Sequence, residues 1–142
     1  APEYMFAAWD VPELCVLDQT DGMPVADAVA AFDGTPVAFE VRDSCAGERT
    51  VIVLAVDDDA AEWAASTDTR DLGGPAGEVW LRLNTHFEQP RESWLRLLVH
   101  ELGHAAGLDH THRHSVMNTD LIYELDGLTP GDHAVLARMY RG

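Results

Sequence analysis

The stretch HELGHAAGLDH, residues 100 to 110, sets three histidines, a glutamate and a glycine at intervals that suit a metal ion. His100 and His104 stand four apart, so on a helix both imidazoles leave one face with about 5–6 Å between their Cβ atoms, a span one zinc ion bridges. Gly107 sits where a left-handed residue ends a helix and reverses the chain, and the reversal carries His110 to the same ion. Three neutral histidines leave the fourth tetrahedral position open, the mark of a catalytic rather than a closed structural site. Glu101, next to the first ligand, is placed to act as general base. The chemistry that follows is peptide-bond hydrolysis through a metal-activated water, the carboxylate taking a proton first and passing it to the leaving amine.

The other histidines fit this scheme less well. His112 and His114 fall outside the spacing that the glycine turn delivers and read as exposed loop residues. His86 and His133 have no partner pattern, which makes them solvated or ordinarily packed side chains.

The motif needs a helix, and the helix needs a scaffold. Trp94, Leu97, Leu98, Glu101 and Leu102 recur at helical spacing from the Gln89-Pro90 break to Gly107, with Glu92 or Ser93 near the start. An earlier helix is predicted in PVADAVAAFDG, where Val25, Ala28, Val29 and Phe32 share a face, Pro24 suits the start and Gly34 the stop. The last helix is LTPGDHAVLARMY, with Thr129 as N-cap, Pro130 as first residue, and Val135, Leu136 and Met139 facing inward. Strands are expected at 11–17, 37–41, 50–56 and 78–84, the third of them central because TVIVLAV is apolar throughout. Between Asp57 and Gly77 the acid-, Ala- and Gly-rich sequence predicts one helical turn and a long loop. Strands interleaved with helices in 142 residues imply one α/β or α+β domain.

Twenty-five acidic residues stand against nine arginines and no lysine, a formal net charge of −16. Such a surface speaks against nucleic acid or an anionic membrane as partner, and no stretch is apolar enough to span a bilayer. Cys15 and Cys45 lie outside any CxxC spacing. They read either as two buried thiols or, in a secreted chain, as a pair whose closure would stabilise the fold by about 3–4 kcal/mol. The chain opens Ala-Pro-Glu without a methionine, which suits a secreted, mature form whose signal peptide or pro-segment has been removed, although a trimmed chain would begin the same way.

The stretch from His100 to His110 fits HExxHxxGxxH and thereby resembles the metzincin zinc peptidases, and SVMN, 115 to 118, resembles the Met-turn that follows in that clan. Thr111 after the third histidine, the last helix with Leu128, Thr129, Asp132, Leu136 and Tyr140, and VADAVAAFDGTPVAFEV together make the chain most similar to the matrixins. The resemblance implies a metzincin catalytic domain over 1–142: a twisted mixed sheet of four to five strands with three helices. Its upper part would run to about residue 107, and its lower part, 108–142, would hold the third ligand, the Met-turn and the last helix. It assigns Met117 to the apolar floor under the zinc and Tyr123 to a wall of the substrate pocket. It also puts extended substrate along an edge strand expected near Leu72, Gly73, Gly74 and Ala76. It further implies that the first two strands are neighbours, which would bring Cys15 near Cys45. No histidine lies between Asp57 and Asn84, so one catalytic zinc is expected and no second, structural one. Asp57, Asp58 and Asp59 offer carboxylates for calcium, with a solvated acidic turn as the simpler reading. The implied function is a secreted, monomeric zinc endopeptidase acting on peptides or proteins. Two alternatives carry other expectations: a catalytically weak metal-binding or partner-binding protein on the same scaffold, and a narrow processing peptidase working inside a cell.

Overall fold

A computed structural model describes residues 3–141. TVIVLAV, apolar on both faces, forms β3 (Thr50–Val56) and runs through the middle of one five-stranded sheet. On one side of it lie β1 (Glu13–Asp18) and β2 (Ala38–Val41), and on the other β5 (Glu78–Asn84) and β4 (Ala65–Asp68), giving the order β2-β1-β3-β5-β4. β2, β1, β3 and β5 are mutually parallel; β4 alone is antiparallel and closes the sheet as an edge strand.

The crossover from β1 to β2 carries a helix, and a second helix follows β5; both cover the face where Leu14, Val16, Val51, Val53, Val79 and Leu81 are buried. α1 (Val25–Ala30) buries Val25 and Ala28, and Phe32 just beyond it stacks edge-on against Phe39 of β2. α2 (Arg91–Ala105) lays Trp94, Leu97, Leu98 and Leu102 into the same core and packs on α1. α3 (Pro130–Met139) starts with the expected Thr129 cap in a full capping box with Asp132, and it buries Val135 and Leu136 while Met139 is half-buried. Among the described residues no helix is long and apolar enough to cross a membrane.

The sheet places β1 beside β2, and Cys15 and Cys45 are joined by a disulfide with Cα atoms 5.7 Å apart, which sets aside the reading as two free thiols. One expected element is absent. The segment predicted as a helical turn and loop contains β4, whose sequence ASTD is half-buried at every position and has Ala65 as its one apolar residue, so it lacks the alternation that marks a strand with one dry face. Its order comes instead from pairing with β5 and from Asn84, fully buried at the end of that strand. The Asn84 amide donates to the carbonyls of Asp58 and Trp63 at 2.9 and 3.1 Å, and its oxygen accepts from the N–H groups of Asp58 and His86 at 3.0 and 3.2 Å. With both donors and its acceptor engaged, Asn84 fixes the loop that leads into β4.

Candidate metal centre and cleft

α2 carries His100, Glu101 and His104 to the edge of the core and then stops in a Schellman turn. Leu108 N–H reaches the Gly103 carbonyl at 2.9 Å, Gly107 N–H reaches that of His104 at 3.0 Å, and Gly107 takes φ +106°. A Cβ at Gly107 would run into the Ala7 carbonyl, because the N-terminal segment lies against this turn and hands the N–H groups of Phe6 and Ala7 to the Gly107 oxygen. Glycine is therefore required twice over, by conformation and by contact.

The turn returns His110 to the helix, where its Nε2 stands 3.1 Å from the Nε2 of His104, and one ligand atom from each of His100, His104 and His110 falls within 4.8 Å of the other two. The outer side of His110 stays open to solvent. His104 Nδ1 lies 3.0 Å from the Leu108 carbonyl and His100 Nδ1 lies 2.7 Å from that of Val116. A carbonyl only accepts, so each Nδ1 carries the hydrogen and each Nε2 presents its lone pair. Two nitrogens on a tetrahedral zinc, each about 2.0–2.1 Å from it, stand roughly 3.3–3.4 Å apart. The His104–His110 spacing and the two tautomers suit such an ion, with the His100 nitrogen within 4.8 Å of both.

Electrostatics agree with the ligand role. Burial lowers the His100 pKa to about 4, opposed in part by the bond to Val116, and lowers that of His104 as well, so both rings stay neutral near pH 7. Glu101 is 6% exposed, and burial raises its carboxyl to about 7 against the opposing hydrogen bond from the Thr67 hydroxyl, 2.8 Å from Oε1. Its Oε2 faces the triad, 3.7 Å from His100 Nε2.

Met117 is fully buried against α2. Gly103 makes room for it: a Cβ at that point of the helix would collide with the Met117 sulfur. The turn that holds Met117 is tied to α3 through Asp132, also fully buried. Asp132 Oδ1 accepts from the hydroxyls of Tyr4 at 2.7 Å and Ser115 at 2.5 Å, and Oδ2 accepts from Thr129 N–H at 3.0 Å and Val116 N–H at 3.2 Å. Burial, with Asp132 as its partner, pushes the Tyr4 hydroxyl far above its ordinary pKa, so it remains a donor.

A cleft of about 640 Å³ runs past His100, Glu101 and His104 between β4 on one side and Ile122 and Tyr123 on the other. The bond from Asn84 N–H to the Ala64 carbonyl, together with the register Ala65↔Leu83 and Thr67↔Leu81, makes those two pairs the non-hydrogen-bonded kind. Ala65 and Thr67 consequently turn their backbone N–H and C=O away from β5, towards the open side of the edge.

Tyr123 lines this cleft. Leu72, Gly73 and Gly74 do not, and the expected edge at 72–76 is corrected to Ala65–Asp68. Leu72 packs on the core and Gly73 accepts from Asp10 N–H at 2.8 Å, so this stretch braces the N-terminal segment. His112 and His114 are exposed, and Asp57 to Asp59 form an exposed turn. Thr67, Asn84, Gly103 and Asp132 frame the candidate site through their contacts, and spacing alone did not single them out. Only Asp132 had a local signal, the T-x-x-D of its capping box, and that signal says nothing of the Met117 turn.

No protein-family model matches the chain, and neither does any curated protein sequence. Among solved structures, High choriolytic enzyme 1, a hatching enzyme zinc-protease from Oryzias latipes (medaka fish), matches 73% of this chain and 50% of its own, with a TM-score of 0.47 and 18% identity. Myroilysin matches 94% of this chain and 65% of its own, with a TM-score of 0.50 and 19% identity. The chain thus spans half of the first and somewhat under two thirds of the second. A particular closeness to matrixins has no counterpart in these two matches. At 19% identity the likeness to myroilysin is one of fold, and the fold is the α/β architecture that the resemblance implied, with five strands in a mixed sheet, three helices, and the triad on the longest helix and the turn beyond it.

Proposed function

We propose that the chain is a zinc-dependent endopeptidase of the metzincin kind, matrixin-like in its motif, with His100, His104 and His110 as ligands and Glu101 as general base. The observation that carries the reading is the convergence of three imidazole donor atoms within 4.8 Å, two of them with their Nδ1 tied to backbone carbonyls, beside a buried carboxylate. When bound, zinc supplies Lewis acidity to a water and to the scissile carbonyl. Glu101 takes the proton released on attack and returns it to the leaving amine; burial, which raises its pKa, makes it a competent acceptor and donor near neutral pH. The outward backbone groups of Ala65 and Thr67 hold the substrate as an added strand. Ile122 and Tyr123 wall the side chain next to the cleaved bond, and Met117 excludes water from beneath the histidines. A single zinc serves the site. The disulfide supports an oxidising, extracellular setting, and the substrates are peptides or proteins met by a monomer.

The test is cleavage of casein or a panel of quenched-fluorescence peptides by the zinc-loaded chain, with and without a chelator. Glu101→Gln should retain one equivalent of zinc and lose turnover by roughly 10²–10⁴-fold. Unchanged turnover, or fragments that appear equally with the chelator present, would overturn the proposal.

A further inference from the structure

The edge strand and the general base meet at one residue. Thr67 is the third residue of β4, and its side chain leaves the sheet on the side of α2, where its hydroxyl donates to Glu101 Oε1 at 2.8 Å. Among the described residues no other side chain donates to this buried carboxylate, and with Oε1 so held, Oε2 is left facing the histidine triad. The same hydroxyl lies 3.4 Å from the Glu101 backbone carbonyl, so it is clamped between two points of one residue and has little freedom to turn away. The backbone of Thr67 has the complementary duty. It belongs to a non-hydrogen-bonded pair with Leu81, so its N–H and C=O point outward along the cleft.

We propose that Thr67 is a positioning residue that couples substrate docking to base alignment: the strand segment that receives the substrate backbone also fixes the rotamer of Glu101. This rests on the endopeptidase reading and goes beyond it, since spacing in the motif places Glu101 near the ion but does not decide which oxygen faces it. A carboxylate on three rotatable bonds needs an external partner to hold one orientation, and a hydroxyl on a strand anchored by Asn84 is a rigid one. Substrate pairing with β4 would stiffen that strand further.

Thr67→Val keeps the shape and removes the donor, and Thr67→Ser keeps the donor and removes the methyl. With zinc-loaded proteins at pH 8, Thr67→Val should lower kcat by roughly 10- to 100-fold, the loss expected for one hydrogen bond to a charged group, while KM changes less than about two-fold. Thr67→Ser should recover most of kcat, and zinc content should be equal in all three. A second readout needs no activity. In the metal-free chain at pH 8, Thr67→Val should lower Tm by several degrees in the parent background and by far less in a Glu101→Ala background, where the acceptor is gone. A parent that cleaves nothing overturns the peptidase reading and the positioning role with it. A parent that cleaves while Thr67→Val keeps its kcat, or an equal Tm loss in both backgrounds, overturns the positioning role alone.

Discussion

Glu101 is predicted to destabilise the metal-free protein in a way that pH reveals. Its carboxyl is raised from an ordinary value of 4.5 to about 7 by burial. A raised folded-state pKa means that the folded chain keeps a proton that the unfolded chain has lost. The group's contribution is therefore most favourable below pH 4.5 and declines as pH rises through 7, by up to about 3 kcal/mol at 1.36 kcal/mol per pKa unit. Glutamine has nearly the same shape, can accept the Thr67 hydrogen bond and cannot ionise. Metal-free Glu101→Gln should match the parent at pH 4.5 and exceed it increasingly up to pH 8. His100 has the opposite sign, because its lowered pKa removes stability as pH falls from 6.5 towards 4, but it is common to both chains and cancels in the difference. Urea denaturation of chelator-treated proteins from pH 4.5 to 8 gives the comparison, provided the m-values agree. A stability difference that is flat over that range would refute the argument that desolvation of this carboxylate dominates. Saturating zinc should shrink the difference, since a nearby cation favours the ionised carboxylate.

Two further perturbations probe the frame around the site. Gly107→Ala places a Cβ against the Ala7 carbonyl at φ +106° and should cost at least 3 kcal/mol together with most of the zinc affinity, because the N-terminal segment and the turn cannot both keep their bonds; zinc titration and urea denaturation measure the two losses, and parent-like affinity would contradict the turn geometry. Asp132→Asn turns one accepting oxygen into a donor and leaves buried partners unmatched, so a loss of about 2–5 kcal/mol is expected, accompanied by weaker zinc binding; an unchanged urea midpoint would contradict the network.

What the sequence made readable was local. His100, His104, Gly107 and His110 are related by helical period and one turn, both properties of a short segment, so their convergence follows from spacing. TVIVLAV announced its central place by being apolar on both faces, and Thr129, Pro130 and Asp132 announced a helix start. The edge strand was hidden because ASTD has a single β-branched residue, Thr67, and no alternation: its order comes from β5 and from the Asn84 amide, twelve or more residues away in sequence. The misplacement of the edge at Leu72 to Ala76 has the same origin. A Gly- and Pro-rich stretch was read as the rim of the cleft, whereas contact with Asp10 makes it a brace for the N-terminus.

The same division runs through the metal site itself. His104 is oriented by Leu108, a carbonyl delivered by the glycine turn that also ends α2, so the motif that supplies this ligand also sets its tautomer. His100 is oriented by Val116, and Val116 is held by Asp132, which in turn collects Tyr4, Ser115 and Thr129. One imidazole is thus oriented by its own segment and the other by residues from both ends of the chain. Damage to the Asp132 network should accordingly loosen His100 first while His104 keeps its bond, and the two imidazoles, distinguishable by their Nδ1–H resonances, would report that asymmetry directly. If the two rings instead lost order together, the turn and the network would be one cooperative unit, and the local motif would not by itself be enough to prepare even a single ligand.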